Sequence, residues 1–224
     1  MATDLIVPDW PAPARVHALV STRALGDMGS ERGRLRLRAH LPADPAWLKQ
    51  VHGATAVDAA RAFAGTAADA CFSSERNVVC AVTIADCMPV LLADDAGEVI
   101  GIAHAGWRGL AAGVIEATIG AMGVPAARVI AWLGPAIGPQ AYEVGEEVRA
   151  AFLERDARAA AAFRATRPGH WRLDLYAIAR QRLAASGVAR VSGGGLCTAS
   201  DRASFFSYRR DKAGERMAAA IWLR

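Results

Sequence analysis

The sequence predicts a mixed α/β protein in a single domain, with antiparallel hairpins interleaved among helices. Two short apolar runs, Pro89–Ala93 and Glu98–Ala103, flank Asp94-Asp95-Ala96-Gly97, whose turn chemistry closes a β-hairpin. Helical stretches are expected at about Gly145–Arg155 and at Asp174–Ser186, the second with Asp174 as N-cap and Gly187 as stop. The 224 residues contain no Ser/Gly/Pro linker or break in composition, and single cores grow to roughly 250–300 residues before splitting, so residues 1–224 read as one domain. Hairpins mixed with helices argue against a purely parallel, doubly wound sheet.

Along the chain, His17 lies in an alternating run that reads as an early strand. Arg32-Gly33-Arg34-Leu35-Arg36-Leu37-Arg38 alternates basic and apolar residues, the pattern of a half-exposed strand. Val78–Ile84 reads as a buried strand and precedes the hairpin. If the hairpin turn is centred between Asp95 and Ala96, Ala93 pairs with Glu98, and the same register carried outward sets Cys87 opposite His104. Leu110–Gly123 has the apolar spacing and terminal glycine of a helix of about three turns. Val129–Leu133 and Met217–Leu223 read as further strands, and the aromatic run before Arg209 and Arg210 reads as a strand whose alternation points one arginine inward and one out.

Hydrophobic residues make up 53% of the chain and charged ones 21%, which excludes a disordered chain. No stretch of 18 uninterrupted apolar residues exists, so no membrane span is predicted. The N-terminus lacks the basic start and apolar core of a signal peptide, and the four cysteines include no Cys-x-x-Cys pair, so a cytoplasmic protein with reduced thiols is expected. A net charge of +4 suits small acidic ligands and is too modest to indicate nucleic acid.

The chemistry concentrates in Ala85-Asp86-Cys87-Met88-Pro89 and His104-Ala105-Gly106-Trp107-Arg108-Gly109. Opposed residues of an antiparallel pair have Cβ atoms roughly 4.5–5.5 Å apart, close enough for the Cys87 thiolate and the His104 imidazole to share one zinc ion. A catalytic zinc wants three protein ligands and an open position, and His52, at an expected strand end before Gly53, is the best third ligand. After His104, a glycine-rich turn leads into a helix start, a natural anion site to which Arg108 can add a bidentate contact.

The segments Gln50-Val51-His52-Gly53, Ala85 to Leu92, His104 to Gly109, Gly134-Pro135-Ala136-Ile137-Gly138-Pro139 with Tyr142-Glu143-Val144-Gly145, and Phe205 to Arg210 together resemble the laccase-domain or polyphenol oxidase family, whose bacterial members are purine nucleoside phosphorylases and include a branch called peptidoglycan editing factor. The resemblance runs from about Leu5 to the C-terminus. It implies a layered α/β sandwich with mixed sheets and a zinc ion bound by His52, Cys87 and His104. It also implies phosphorolysis of adenosine, inosine, guanosine and methylthioadenosine, with hydrolytic deamination of adenosine. The expected partners are thus a nucleoside and phosphate, bound by a monomer or homodimer.

Zinc with a vacant position lowers the pKa of bound water from ~15.7 to about 7, which suits deamination, and Asp86 is the nearest candidate proton shuttle. Arg23 and Asp69 match polar positions of the family pattern and can bind phosphate or hydroxyls. Beyond the Gly/Pro-rich loop, Tyr142 can cover a base and Glu143 can anchor it, or Glu143 can help to start the next helix, while one of Arg209 and Arg210 joins the pocket, with Arg209 the candidate.

Three rival readings remain. Copper with Met88 as a soft axial ligand would serve a phenol oxidase, but five histidines are too few for several coppers, so zinc is preferred to Cu2+. A hydrolase editing peptidoglycan precursors would use Cys87 as nucleophile and His104 as base. A non-catalytic zinc-binding protein is the third, because residues 24–49 form a shortened segment without asparagine where the family carries a longer one.

Overall fold

The computed structural model describes residues 3–224 as a stack of helices and sheets. At its centre is a six-stranded mixed sheet in the order β12 (Arg190–Gly193), β8 (Val129–Leu133), β6 (Met88–Asp94), β7 (Ile100–Ala105), β4 (Ala70–Ser73), β3 (Ala56–Asp58). Every residue of β6, β7 and β8 is buried, because both faces of this sheet are covered.

Strand alternation decides which side chain enters which layer. Val90 and Leu92 pack with Leu110, Ile115, Phe152 and Ile178 from the helical layer. That layer comprises α2 (Trp107–Ala112), α3 (Val114–Met122), α4 (Glu146–Leu153) and α5 (Leu175–Ala185). Leu91 and Ala93 point the other way, onto Val82, Ile84, Ala219 and Ile221 of a second sheet. This four-stranded sheet runs β1 (Leu5–Ile6), β2 (Val16–Ser21), β13 (Met217–Leu223), β5 (Cys80–Ile84), all antiparallel. Its outer face is closed by α1 (Glu31–Arg38), whose Leu37 packs with Leu19, Ala220 and Trp222. A small third sheet, β10 (Phe163–Arg167), β11 (His170–Leu173), β9 (Glu143–Gly145), packs against the helical layer through Val144, Phe163 and Leu173. The layered α/β sandwich with mixed sheets is therefore the observed fold. Leu92→Ala, at a site with no solvent exposure, is expected to lower unfolding free energy by about 2–5 kcal/mol, read as a lower urea midpoint.

Four local expectations are corrected. Residues 32–38 form a helix and not a strand: Ser30 Oγ accepts the Gly33 N–H as an N-cap, and the buried positions Gly33 and Leu37 stand four apart while Leu35 is exposed. A Cβ on Gly33 would lie 2.0 Å from the Asp27 carbonyl oxygen, so this helix can press onto the preceding turn only with glycine there. The expected helix over 110–123 starts earlier and is two helices, broken at Gly113, which takes the left-handed conformation at φ 93°. The aromatic run before Arg209 forms no strand; Ser207 caps a short helix, α6 (Tyr208–Asp211).

The hairpin register is the fourth. Ala93 pairs with Ile100 and Pro89 with His104, two residues away from the expected pairing. The cause is Asp94, fully buried, whose carboxylate accepts the N–H groups of Ala96, Glu98 and Val99 and thereby stabilises a longer loop. A shift of two preserves side-chain parity, so Cys87, in the bend just before β6, still brings its sulfur to the side of the sheet that His104 faces. By contrast, Asp174 caps α5 as expected, accepting the Ala177 N–H at 3.0 Å.

Candidate active site

His104 lies near the end of β7 and continues the face of Ile100 and Ile102, toward the four-stranded sheet. Cys87 lies in the bend between β5 and β6, and Gly106 is its neighbour across the gap. A Cβ on Gly106 would sit 2.7 Å from Cys87 Sγ, so a side chain there would displace the thiol. His52 arrives on a loop and not on a strand end, with φ 61°, a conformation that non-glycine residues seldom adopt.

Asp69 holds that loop. It has no solvent exposure, and its carboxylate accepts the N–H groups of Val51, His52 and Gly53 at 3.1, 2.9 and 2.7 Å. Its Oδ1 also lies 2.9 Å from His104 Nδ1. One buried carboxylate thus fixes the backbone of the His52 loop and the ring of His104, and leaves Nε2 of His104 as the free ring nitrogen. The result is a cluster in which His52, Cys87 and His104 each offer a ligand atom, all within 4.8 Å of one another. Two imidazoles and one thiolate form a borderline-soft donor set that can hold a divalent metal ion such as zinc or copper.

Burial opposes the Cys87 thiolate, but the imidazoles of His104 and His52 outweigh it and bring the thiol pKa down to about 6. Burial likewise opposes a charged His104, and Asp69 together with the Cys87 sulfur raises its pKa to about 9. The sulfur is therefore already biased to the thiolate form that metal binding requires.

The cluster opens into a cavity of about 590 Å³ that is also lined by Asp86, Tyr142 and Arg209. Asp86 is strained, with φ 88°, and ties distant segments together. Its carboxylate accepts the Thr198 hydroxyl and the Arg209 N–H, each at 2.6 Å, and its carbonyl accepts the Ile137 N–H. Tyr142 is buried, which pushes its phenol pKa up, and the Arg209 guanidinium lies 5.0 Å from its ring centroid. Arg209 is the arginine that faces the cavity; Arg210 turns to Asp211 and to the carbonyls of Thr198, Ala199 and Phe205.

Other expected residues stand elsewhere. Asp69 is behind the histidines and not on the cavity wall. Arg108 is exposed and lies over its neighbour Trp107, 4.5 Å from the ring centroid. Arg23 is also exposed and lies over Phe206. The Glu143 carboxylate turns outward to Arg167 at 3.0 Å, and only its carbonyl, which accepts from Arg209 Nη1, faces the site residues. Sequence reasoning assigned no role to Gln50, Thr83, Tyr208 or Arg216, which line the cavity. Gln50 grips Thr83 through three hydrogen bonds and so fixes the His52 loop to β5, a contact for which the sequence carries no local signal.

The fold and cavity define a class: α/β sandwich proteins with one His–Cys–His donor group in an open cleft. Within it, this chain belongs to the family described as multi-copper polyphenol oxidoreductase laccase, whose model matches residues 27–224. It is 47% identical to the purine nucleoside phosphorylase PA4543 of Pseudomonas aeruginosa, over 97% of this chain and 98% of that one. It is 46% identical to the purine nucleoside phosphorylase YfiH of Escherichia coli, over 98% of both chains. Among solved structures, Neisseria meningitidis protein NMB0706 matches with a TM-score of 0.93 at 44% identity, covering 99% of each chain. The alignment to PA4543 runs to 237 residues against the 224 of this chain, so that relative carries residues that this chain lacks.

Proposed function

We propose that this protein is a zinc-dependent purine nucleoside phosphorylase that also deaminates adenosine. The observation that carries the reading is the convergence of His52, Cys87 and His104 at a cavity large enough for a nucleoside, in a chain nearly half identical to proteins named purine nucleoside phosphorylase. The substrates are adenosine, inosine, guanosine or methylthioadenosine with phosphate. A phosphate oxygen bonds to C1′ of the pentose as the C1′–N9 bond breaks, and the departing purine takes up a proton, which yields the free base and a pentose-1-phosphate.

His52, Cys87 and His104 would hold the zinc, which supplies Lewis-acid polarisation and a lowered water pKa. Asp69 keeps the His52 loop and the His104 imidazole in place, and Tyr142 offers a flat surface to the base. Each oxygen of Asp86 accepts one hydrogen bond from the protein and keeps a second lone pair, so the carboxylate can take a proton or a substrate hydroxyl. A single three-donor cluster among the described residues fits one metal ion better than a set of several coppers.

A nucleoside panel resolved by chromatography, with and without phosphate, on protein of known metal content tests the reading. Adenosine with phosphate should give adenine and ribose-1-phosphate, and inosine should appear in its absence, with about one zinc per chain. Bound zinc without product from any nucleoside would leave a binding protein instead.

A further inference from the structure

Phosphorolysis needs a second ligand, an inorganic phosphate, and the chain offers several arginines around the cavity mouth. Three are already engaged or misplaced. Arg210 is neutralised by Asp211 and donates to three carbonyls, while Arg108 and Arg23 are exposed over aromatic rings and do not line the cavity. Arg209 differs in both respects.

Its position is fixed from several directions. The backbone N–H donates to Asp86 Oδ2 at 2.6 Å, Nη1 donates to the Glu143 carbonyl at 2.8 Å, and the guanidinium lies over the Tyr142 ring. Its charge, however, has no carboxylate opposite it. The Glu143 carboxylate is drawn away by Arg167, and the oxygens of Asp86 accept from Thr198 and from the Arg209 backbone. Nε and Nη2 have no protein acceptor among the described residues. A guanidinium that is held rigidly on a cavity wall, with one edge of two parallel N–H donors unclaimed, matches two oxygens of a tetrahedral oxyanion. Arg216, on the same wall, adds positive charge nearby.

Building on the phosphorylase reading, we propose that Arg209 is the phosphate-binding residue of this cavity and that it grips the anion through its Nε–Nη2 edge. Asp86 and Glu143 are the positioning groups behind it, since each holds a different part of Arg209. The fork geometry matters as well as the charge, so lysine is a poor substitute.

The test is titration of inorganic phosphate into the metal-loaded protein by calorimetry, together with the KM for phosphate in adenosine phosphorolysis. Wild type, Arg209→Gln, Arg209→Lys and Arg108→Gln are compared, with circular dichroism confirming the fold of each. Arg209→Gln should weaken phosphate binding roughly 10- to 100-fold, and Arg209→Lys should recover only part of the loss. A loss below about 3-fold at Arg209→Gln, or one smaller than that at Arg108→Gln, overturns the assignment. If wild type binds phosphate and Arg209→Gln does not, yet no nucleoside is cleaved, the anion site stands and the phosphorylase reading falls.

Discussion

Cys87→Ala is expected to remove metal and activity together. The substitution deletes the one sulfur among three donors, and the two imidazoles that remain cannot hold a divalent ion against dialysis as a thiolate-containing trio can. Metal content should fall from about one ion per chain to about a tenth or less, with phosphorolysis falling in parallel. The fold should survive, since Cys87 lies partly exposed in a bend outside the strands. Circular dichroism, metal analysis and the nucleoside assay on one preparation separate these effects. A variant that keeps its metal but loses turnover would contradict the ligand role and return Cys87 to the role of nucleophile. Chelation of the wild type should reproduce the variant, and zinc should restore the chelated wild type alone.

Much of the site was legible because its parts lie close in sequence to strong local signals. The hairpin turn brought Cys87 and His104 to one face even though the register was wrong by two, because the alternation of a strand is blind to a shift of that size. The side chain of Asp94 caused the shift, and a turn dictated by a buried carboxylate looks in sequence like any other Asp-Asp-x-Gly. The arginine-rich segment failed for a related reason. Strict alternation over 32–38 satisfies a strand template, while the helix is specified by two positions only, Gly33 and Leu37, and by the Ser30 cap. Arg209 and Arg210 could not be separated, because the choice depends on α6 and on Asp86, a residue 123 positions away. Asp69 was recognised as a special polar residue but given the wrong partner. Its three amide contacts and its ring contact come from segments 16–18 residues before it and 35 after it, which no periodicity links.

That buried carboxylate is where stability and metal affinity should prove inseparable. In Asp69→Ala, three backbone N–H groups and one imidazole N–H lose their acceptor inside the protein, and breaking such a buried charged network costs about 3–5 kcal/mol. For a chain of this size each kcal/mol moves the melting temperature by roughly 2–4 °C, so a drop of about 6–20 °C is expected in calorimetry. Asp69→Asn keeps an acceptor oxygen and should lose less, yet its amide cannot hold His104 as a carboxylate does, so metal affinity should fall by roughly 10- to 100-fold.

The pH dependence of the metal-free protein carries a further signature. Burial alone would raise the Asp69 pKa, but His104 first, then the Gly53 and Val51 amides, hold it below the ordinary carboxylate value. Its contribution is therefore present above about pH 4 and lost as pH falls through the depressed folded value. His104 is shifted up to about 9, so its share is complete below about pH 6.5 and lost as pH rises through the folded value. The stability difference between wild type and Asp69→Asn should consequently peak between roughly pH 4 and 6.5 and shrink on both sides. A difference that stays flat from acid to alkali, or a melting temperature of Asp69→Ala within about 2 °C of wild type, would show that the carboxylate does not hold the two histidine segments together.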